Sequence, residues 1–180
     1  MAQLKTEAGY QQRKVVYRNL RNNKFEDITE MLGPPATIPK ASRGCAFGDF
    51  DNDGDIDVVI NNVHDTPDLF RLESHNKNHW ITLKLVGTNS NRSAIGSRIR
   101  CLAHGESQYQ EVRGGGSYIS QNDLRVHFGL GNATIIDRLE VRWPNGLEEG
   151  WASLSVDRFL TLKEGGGRAL TDLREKPVAR

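Results

Sequence analysis

The sequence predicts an all-β protein, and three observations carry that reading. Short apolar–polar alternations recur along most of the chain, as in Leu124-Arg-Val-His-Phe128, the period of a half-buried strand. Clusters of Gly, Asn, Asp and Pro separate them at turn-length intervals, and 18 of the 180 residues are glycine. No amphipathic helical period runs longer than residues 26–32 could hold. A content of 37% hydrophobic and 26% charged residues fits a globular, turn-rich chain.

Taken in order, Val15-Val-Tyr-Arg-Asn-Leu20 reads as a strand, residues 21–24 as a hairpin turn, and Phe25-Glu-Asp-Ile-Thr29 as the returning strand. Gly33-Pro-Pro-Ala36 marks a loop. Two strands, around Ala46-Phe47-Gly48 and Val58-Val59-Ile60, flank an acidic loop, and Leu69-Phe-Arg-Leu72 forms another short strand. Residues 74–78 are polar and make the boundary between two units. Beyond it, strands are expected over 80–86, 96–103, 107–113, 124–128, 135–143 and 158–162, with Pro144-Asn-Gly146 as a hairpin turn. The division that follows is a leader over 1–14, truncated or disordered, a first unit over 15–73, a second over 74–164, and a mobile tail over 165–180.

Charge excludes some partners. The formal net charge is +1, from 24 basic and 23 acidic residues. Five of the acidic residues lie in one loop, and the basic ones are scattered through strand patterns, so nucleic acid is not an expected partner. No run of 18 apolar residues exists, so no membrane-spanning helix is expected. The start, Met1-Ala-Gln-Leu-Lys5, lacks the apolar core of a signal peptide. The chain therefore either stays inside the cell or is a fragment whose signal lies upstream.

The acidic loop is the strongest chemical signal. Asp49, Asp51, Asp53, Asp55 and Asp57 alternate over nine residues, with Gly54 among them. That much like charge in a tight turn calls for a counter-ion, and hard oxygen ligands at positions 1, 3 and 5, glycine at 6 and a carboxylate at 9 fit Ca²⁺. An EF-hand would need a bidentate Glu at position 12, where Ile60 stands, and strands rather than helices flank the loop. The alternative is an acidic, solvated turn without metal. Ca²⁺ is preferred to Mg²⁺ because many carboxylates in a flexible shell suit the larger ion. Its expected role is structural, since no nucleophile or G-x-S-x-G or Cys/His signature accompanies the loop and no enzyme is expected.

Residues 114–123, Gly-Gly-Gly-Ser-Tyr-Ile-Ser-Gln-Asn-Asp, admit two readings. One is a bulge and corner where glycine permits a sharp bend. The other is a polar ligand face, with Tyr118 for stacking and Gln121, Asn122 and Asp123 for hydroxyl hydrogen bonds, as for a glycan. Cys45 and Cys101 are either two free thiols or one disulfide.

Two stretches of the first unit, residues 17–29 and Phe47-Gly-Asp-Phe-Asp-Asn-Asp-Gly-Asp-Ile-Asp-Val58, resemble FG-GAP/VCBS repeats, blades of calcium-binding β-propellers. The second unit resembles the ASPIC/UnbV domain, through Asn78-His-Trp-Ile-Thr-Leu-Lys-Leu-Val-Gly-Thr88, Ser120-Gln-Asn-Asp123, His127-Phe-Gly-Leu-Gly131 and Val141-Arg-Trp-Pro-Asn-Gly146. Together they look like the C-terminal part of the cartilage acidic protein family and its bacterial relatives. The resemblance implies a partial β-propeller blade followed by a β-sandwich-like domain. It implies calcium held by the carboxylates of Asp49, Asp51, Asp53 and Asp57 and by the Asp55 carbonyl. It also implies an extracellular or periplasmic binding or adhesion module whose partner is a protein or a glycan. An accessory role in a biosynthetic enzyme system is the alternative. Since a propeller needs several blades, the lone blade is expected to self-associate through an unpaired strand edge unless something covers it.

Overall fold

A computed structural model describes residues 10–20, 22–74 and 76–173. The fold is all-β, and the described residues form four sheets, none closed. In the first half β1 (Tyr17–Asn19) and β2 (Phe25–Asp27) form an antiparallel hairpin, with Asn22 and Asn23 both at positive φ, a conformation asparagine tolerates. A 3-10 turn over Thr29–Leu32 and α1 (Pro34–Thr37) follow. The expected loop at Gly33-Pro-Pro-Ala36 is thus a helical turn, because proline suits the first helical positions, where no N–H is needed. The strands β3 (Ser42–Gly48), β4 (Asp57–Asn62) and β5 (Asp68–Phe70) then make an antiparallel sheet in that order. This is the partial blade.

The second half contributes β6 (His79–Val86), β7 (Arg98–Ala103), β8 (Glu106–Glu111), β9 (Val126–Gly131), β10 (Ile135–Arg142), β11 (Glu148–Ser155), β12 (Arg158–Lys163) and β13 (Arg168–Ala169). A last helical turn, α2 (Leu170–Leu173), follows. The strands form two sheets, ordered β12-β6-β9 and β13-β11-β10-β7-β8. Ile81, Leu83 and Leu85 of β6 and Val126, Phe128 and Leu130 of β9 share one core with Ile99 and Cys101 of β7 and Ile136, Leu139 and Val141 of β10. The i, i+2 spacing on β6, β9 and β7, and of Leu139 and Val141 on β10, puts these side chains on one face of each strand, so the two sheets close as a sandwich. Each such side chain contributes about 1.5–3 kcal/mol when fully buried.

The core is confined to this half. Every buried residue of the cluster lies between Ile81 and Leu162, whereas the described part of the first half buries only Ala36 and Ala41 among its apolar side chains. Polar contacts hold the first half together instead. Lys14 and Lys40 approach Asp68 at 2.8 and 2.7 Å. Burial alone would raise the Asp68 pKa, but Lys14, Lys40 and Asn62 outweigh it and bring the group down to about 2. Gln12 also pairs with Lys40. Residues 10–14 are therefore tied down rather than loose as expected of a leader, and the rest of that leader, 1–9, lies outside the described residues.

Two further expectations are corrected at the C-terminal end. Arg168 and Ala169 pair with Gly150 and Glu149, so the sandwich runs past Glu164 into the stretch expected to be mobile, whose last residues, 174–180, lie outside the described ones. Residues 148–155 were not expected as a strand, since Glu-Glu-Gly-Trp-Ala-Ser-Leu-Ser lacks clean alternation. Pairing with β10, through the Pro144-Asn-Gly146 turn, makes them one. Both cysteines are free thiols, on β3 and β7. Burial pushes both thiols up, Cys101 to about 11 with help from Asp137.

Buried carboxylates fasten the ends of the sandwich. Glu149 accepts from Trp143 Nε1 at 2.7 Å and from the N–H groups of Gly165 and Gly167 at 2.9 Å each. Glu164, 4% exposed, accepts from the N–H groups of Thr88, Asn89 and Ser90 at 2.7–2.9 Å and from Asn145 Nδ2 at 2.6 Å. Burial works to raise its pKa, but the hydrogen bonds from Ser90, Thr88 and Asn89 prevail and hold it down at about 2, against an ordinary 4.5. A depressed carboxylate stabilises the fold above its unfolded pKa and loses that contribution as pH falls through its folded value. Glu164→Gln is therefore expected to lower Tm at pH 7 by roughly 3–6 °C. Its deficit relative to wild type should shrink from about pH 4.5 downward and vanish near pH 2. Melting curves by circular dichroism across pH 2–7 check this, and a constant deficit at all pH values contradicts it.

Candidate metal centre

The acidic loop joins β3 to β4, so the sheet itself brings its ends together: Gly48 pairs with Asp57 in register. Asp49 leaves β3 and Asp57 opens β4, and their side chains turn inward, 3% and 2% exposed. Asp51 joins them, so that one carboxylate oxygen from each of the three lies within 4.8 Å of the others. The backbone folds around these groups. Asp49 accepts from the N–H of Asp53 at 3.1 Å and of Gly54 at 3.0 Å. Asp57 accepts from the N–H of Phe50 at 2.8 Å and of Leu72 at 2.9 Å. Gly54, at φ +97°, supplies the backbone conformation this wrap requires.

Three convergent carboxylates are a donor set of hard oxygens, the chemistry Ca²⁺ takes. Two unit charges 4.8 Å apart repel by about 3.5 kcal/mol at an effective dielectric of about 20. The described cation in contact with the trio's carboxylates is Arg71, whose Nε lies 2.9 Å from Asp51 and which also reaches Glu73. One guanidinium does not balance three carboxylates, two of them buried. The residues fit a divalent cation, which would neutralise the trio and tie the two strands.

The five sequence-predicted ligands divide. Asp49, Asp51 and Asp57 converge. Asp53 turns its carboxylate back to the N–H of Asp55 at 2.9 Å. The Asp55 carboxylate accepts from the Ser74 N–H at 2.6 Å and from its hydroxyl, which leaves only the Asp55 carbonyl for the role expected of that residue.

The loop also leans on the second half. A side chain on Gly54 would meet the Trp80 ring of β6 at 2.1 Å. Arg125 donates to the Asp49 carbonyl at 2.8 Å and to Asn52 Oδ1 at 2.7 Å, pairs with Asp123, and lies 5.1 Å over the Phe159 ring. Trp80 stacks on His127 and meets Phe159 edge-on, and its backbone N–H donates to Asp157 Oδ1. Burial lowers the His127 pKa, opposed by Asp49 and Asp55. No local motif announces Trp80, Arg125, Ser74 or Arg71. The one sequence signal was the Trp at the start of a strong strand.

A polar cleft of about 370 Å³ opens beside this contact, lined by Asp49, Thr82, Glu111, Arg113, Asp123 and His127 among others. Gln121, Asn122 and Asp123, the residues proposed for a ligand face, border it. Most of their side-chain polar atoms have internal partners, those of Asp123 through Arg125. Gln121 accepts from the Gly115 N–H and donates to the carbonyls of Arg113 and Asn122, bracing the glycine corner. Asn122 Oδ1 accepts from the Phe47 N–H at 3.1 Å, while the Asp123 N–H donates to the Phe47 carbonyl at 2.9 Å. Tyr118 is 64% exposed and does not border the cleft. The structure thus does not gather the four into one site, and the segment caps the edge of β3 instead.

Residues 8–60 match the family model of the FG-GAP-like repeat, and residues 87–169 match that of ASPIC and UnbV. Cartilage acidic protein 1 of Mus musculus and of Homo sapiens are each 25% identical over 137 residues, 73% of this chain. The Xenopus tropicalis protein of that name is 26% identical over the same length. The chain spans about a fifth of the length of these relatives.

Proposed function

Because the chain joins an FG-GAP-like repeat to an ASPIC/UnbV domain, we propose that it is a calcium-stabilised, non-enzymatic binding module that works outside the cell. The observation that carries the reading is the convergence of Asp49, Asp51 and Asp57, two of them buried, with one cation in contact. Calcium is then structural: it neutralises the trio and stabilises a half of the chain whose described residues bury almost no apolar side chains. Millimolar extracellular calcium would keep even a weak loop filled.

The partner is better read as a protein than as a glycan. Val59 and Leu69 sit opposite each other on one face of the β3-β4-β5 sheet, 43% and 52% exposed, and Phe47 on the other face is 46% exposed. Apolar surface of this kind is buried by protein more readily than by sugar. The edge of β3 is capped by residues 122–123, so self-association through an unpaired edge would use β5.

Isothermal titration with Ca²⁺ tests the metal. Wild type is expected to bind one ion, and Asp57→Asn to lose at least tenfold in affinity, since one of three converging charges is gone. Wild type that takes up no calcium at millimolar concentration ends this reading.

A further inference from the structure

The metal loop is built against the second half, and its contacts there come from backbone and neutral atoms rather than from the three carboxylates. Gly54 abuts the Trp80 ring with no room for a methyl group. The Asp49 carbonyl and Asn52 Oδ1 both accept from Arg125, 76 and 73 residues away in the chain. Asn52 sits at φ 62°, so the loop's turn is what presents its side chain to Arg125. Each contact exists only while the loop keeps its wrapped shape. That shape is opposed by the repulsion among Asp49, Asp51 and Asp57 and favoured by whatever neutralises them. Beside the loop, the Phe47 N–H donates to Asn122 Oδ1 and the Asp123 N–H to the Phe47 carbonyl, which completes the seam, and the cleft lies along it.

We propose that the metal loop is a latch between the two halves: an ion on Asp49, Asp51 and Asp57 fixes the loop surface that Trp80 and Arg125 grip, so ion binding and inter-half docking are one coupled equilibrium. This rests on the calcium reading. Without the ion the loop relaxes, the grip of Arg125 is lost, and the cleft opens into solvent. The first half, having little core, depends on the seam for its position. Coupling is reciprocal: if the ion strengthens docking, docking strengthens ion binding by the same factor.

Reciprocity supplies a test whose sign decides. Arg125 touches no carboxylate of the trio. Simple electrostatics says that removing a cation near an acidic loop tightens Ca²⁺ binding. The latch says the opposite: Arg125→Ala is expected to weaken Ca²⁺ about fivefold or more by isothermal titration. Asn52→Gly, which tolerates the positive φ and leaves the second half untouched, is expected to act in the same direction. In parallel, amide hydrogen exchange on the wild-type chain compares saturating Ca²⁺ with EDTA. Protection of Phe47 and Asp123 should fall by at least tenfold on chelation, while amides of β6 and β10 in the sandwich core stay protected. Unchanged or tighter calcium binding in both variants, or seam protection that ignores calcium, overturns the latch while calcium binding by wild type stands. Wild type that binds no calcium removes the metal reading and the latch with it. The same exchange measurement on both variants in Ca²⁺ checks their core, where intact protection of β6 and β10 excludes global unfolding as the cause.

Discussion

Chelation of calcium is expected to lower the Tm of this protein by about 5–11 °C, measured against protein in calcium at 100 times its dissociation constant. A ligand at that excess stabilises the state that binds it by about 2.7 kcal/mol, and about 1 kcal/mol moves the Tm of a chain of this size by about 2–4 °C. The direction follows from charge. Without an ion, Asp49 and Asp57 keep their backbone hydrogen bonds, but the repulsion of three carboxylates within 4.8 Å acts against the closed loop. The effect should concentrate in the first half, where ion pairs around Asp68 and the loop itself take the place of an apolar core. Asp57→Asn is the informative control. Its amide nitrogen would face the N–H of Phe50 or Leu72, both donors, so the variant should melt low with or without calcium. Differential scanning calorimetry of both proteins in calcium and in EDTA gives the four numbers. Wild type with the same midpoint in both buffers would falsify the structural role of the ion.

Most of the fold was legible because most of it is local. The alternation in Trp80-Ile-Thr-Leu-Lys-Leu-Val86 and Gly96-Ser-Arg-Ile-Arg-Cys-Leu-Ala103 writes each strand's buried face directly. What escaped depends on distant partners. The strand β11 exists because β10 offers it a ladder, and β13 because β11 then offers another. The residues of β11 itself, with Gly150 and four polar positions, do not alternate. The acidic loop was legible as a cluster, but alternation alone could not say which carboxylates converge. Asp55 is drawn off by Ser74 and Asp53 by the chain itself, and neither preference is written in the spacing. The polar run Gln121-Asn-Asp123 illustrates the harder ambiguity. Side chains that bind a ligand and side chains that bind a neighbouring strand need the same donors and acceptors, so composition cannot tell them apart. Only the position of Phe47 does.

Gly54→Ala is expected to be the most damaging single methyl group in the loop, destabilising by about 2–5 kcal/mol. Two costs combine. At φ +97° the backbone occupies a region that an L side chain rarely adopts, worth about 1–2 kcal/mol. The new Cβ would also lie 2.1–2.6 Å from three atoms of the Trp80 ring, which must move. Overpacking of this kind costs about 1–3 kcal/mol, and here the ring is held from several sides. The Trp80 ring rests against His127 and Phe159, and the backbone that carries it is fixed by its N–H donating to Asp157 Oδ1 and its carbonyl accepting from the Asp157 N–H. A double-mutant cycle separates the two costs. In a Trp80→Ala background the ring is gone, so Gly54→Ala should then cost only the backbone part, about 1–2 kcal/mol. Urea unfolding of the four proteins measures the difference. If the penalty is the same with and without Trp80, the loop does not press on the second half, and the close approach of Gly54 to Trp80 is not a contact the folded protein depends on. If the penalty halves, the glycine at the sixth position of the metal loop has two duties. One is set by the ion-binding turn; the other is set by a tryptophan 26 residues further along the chain.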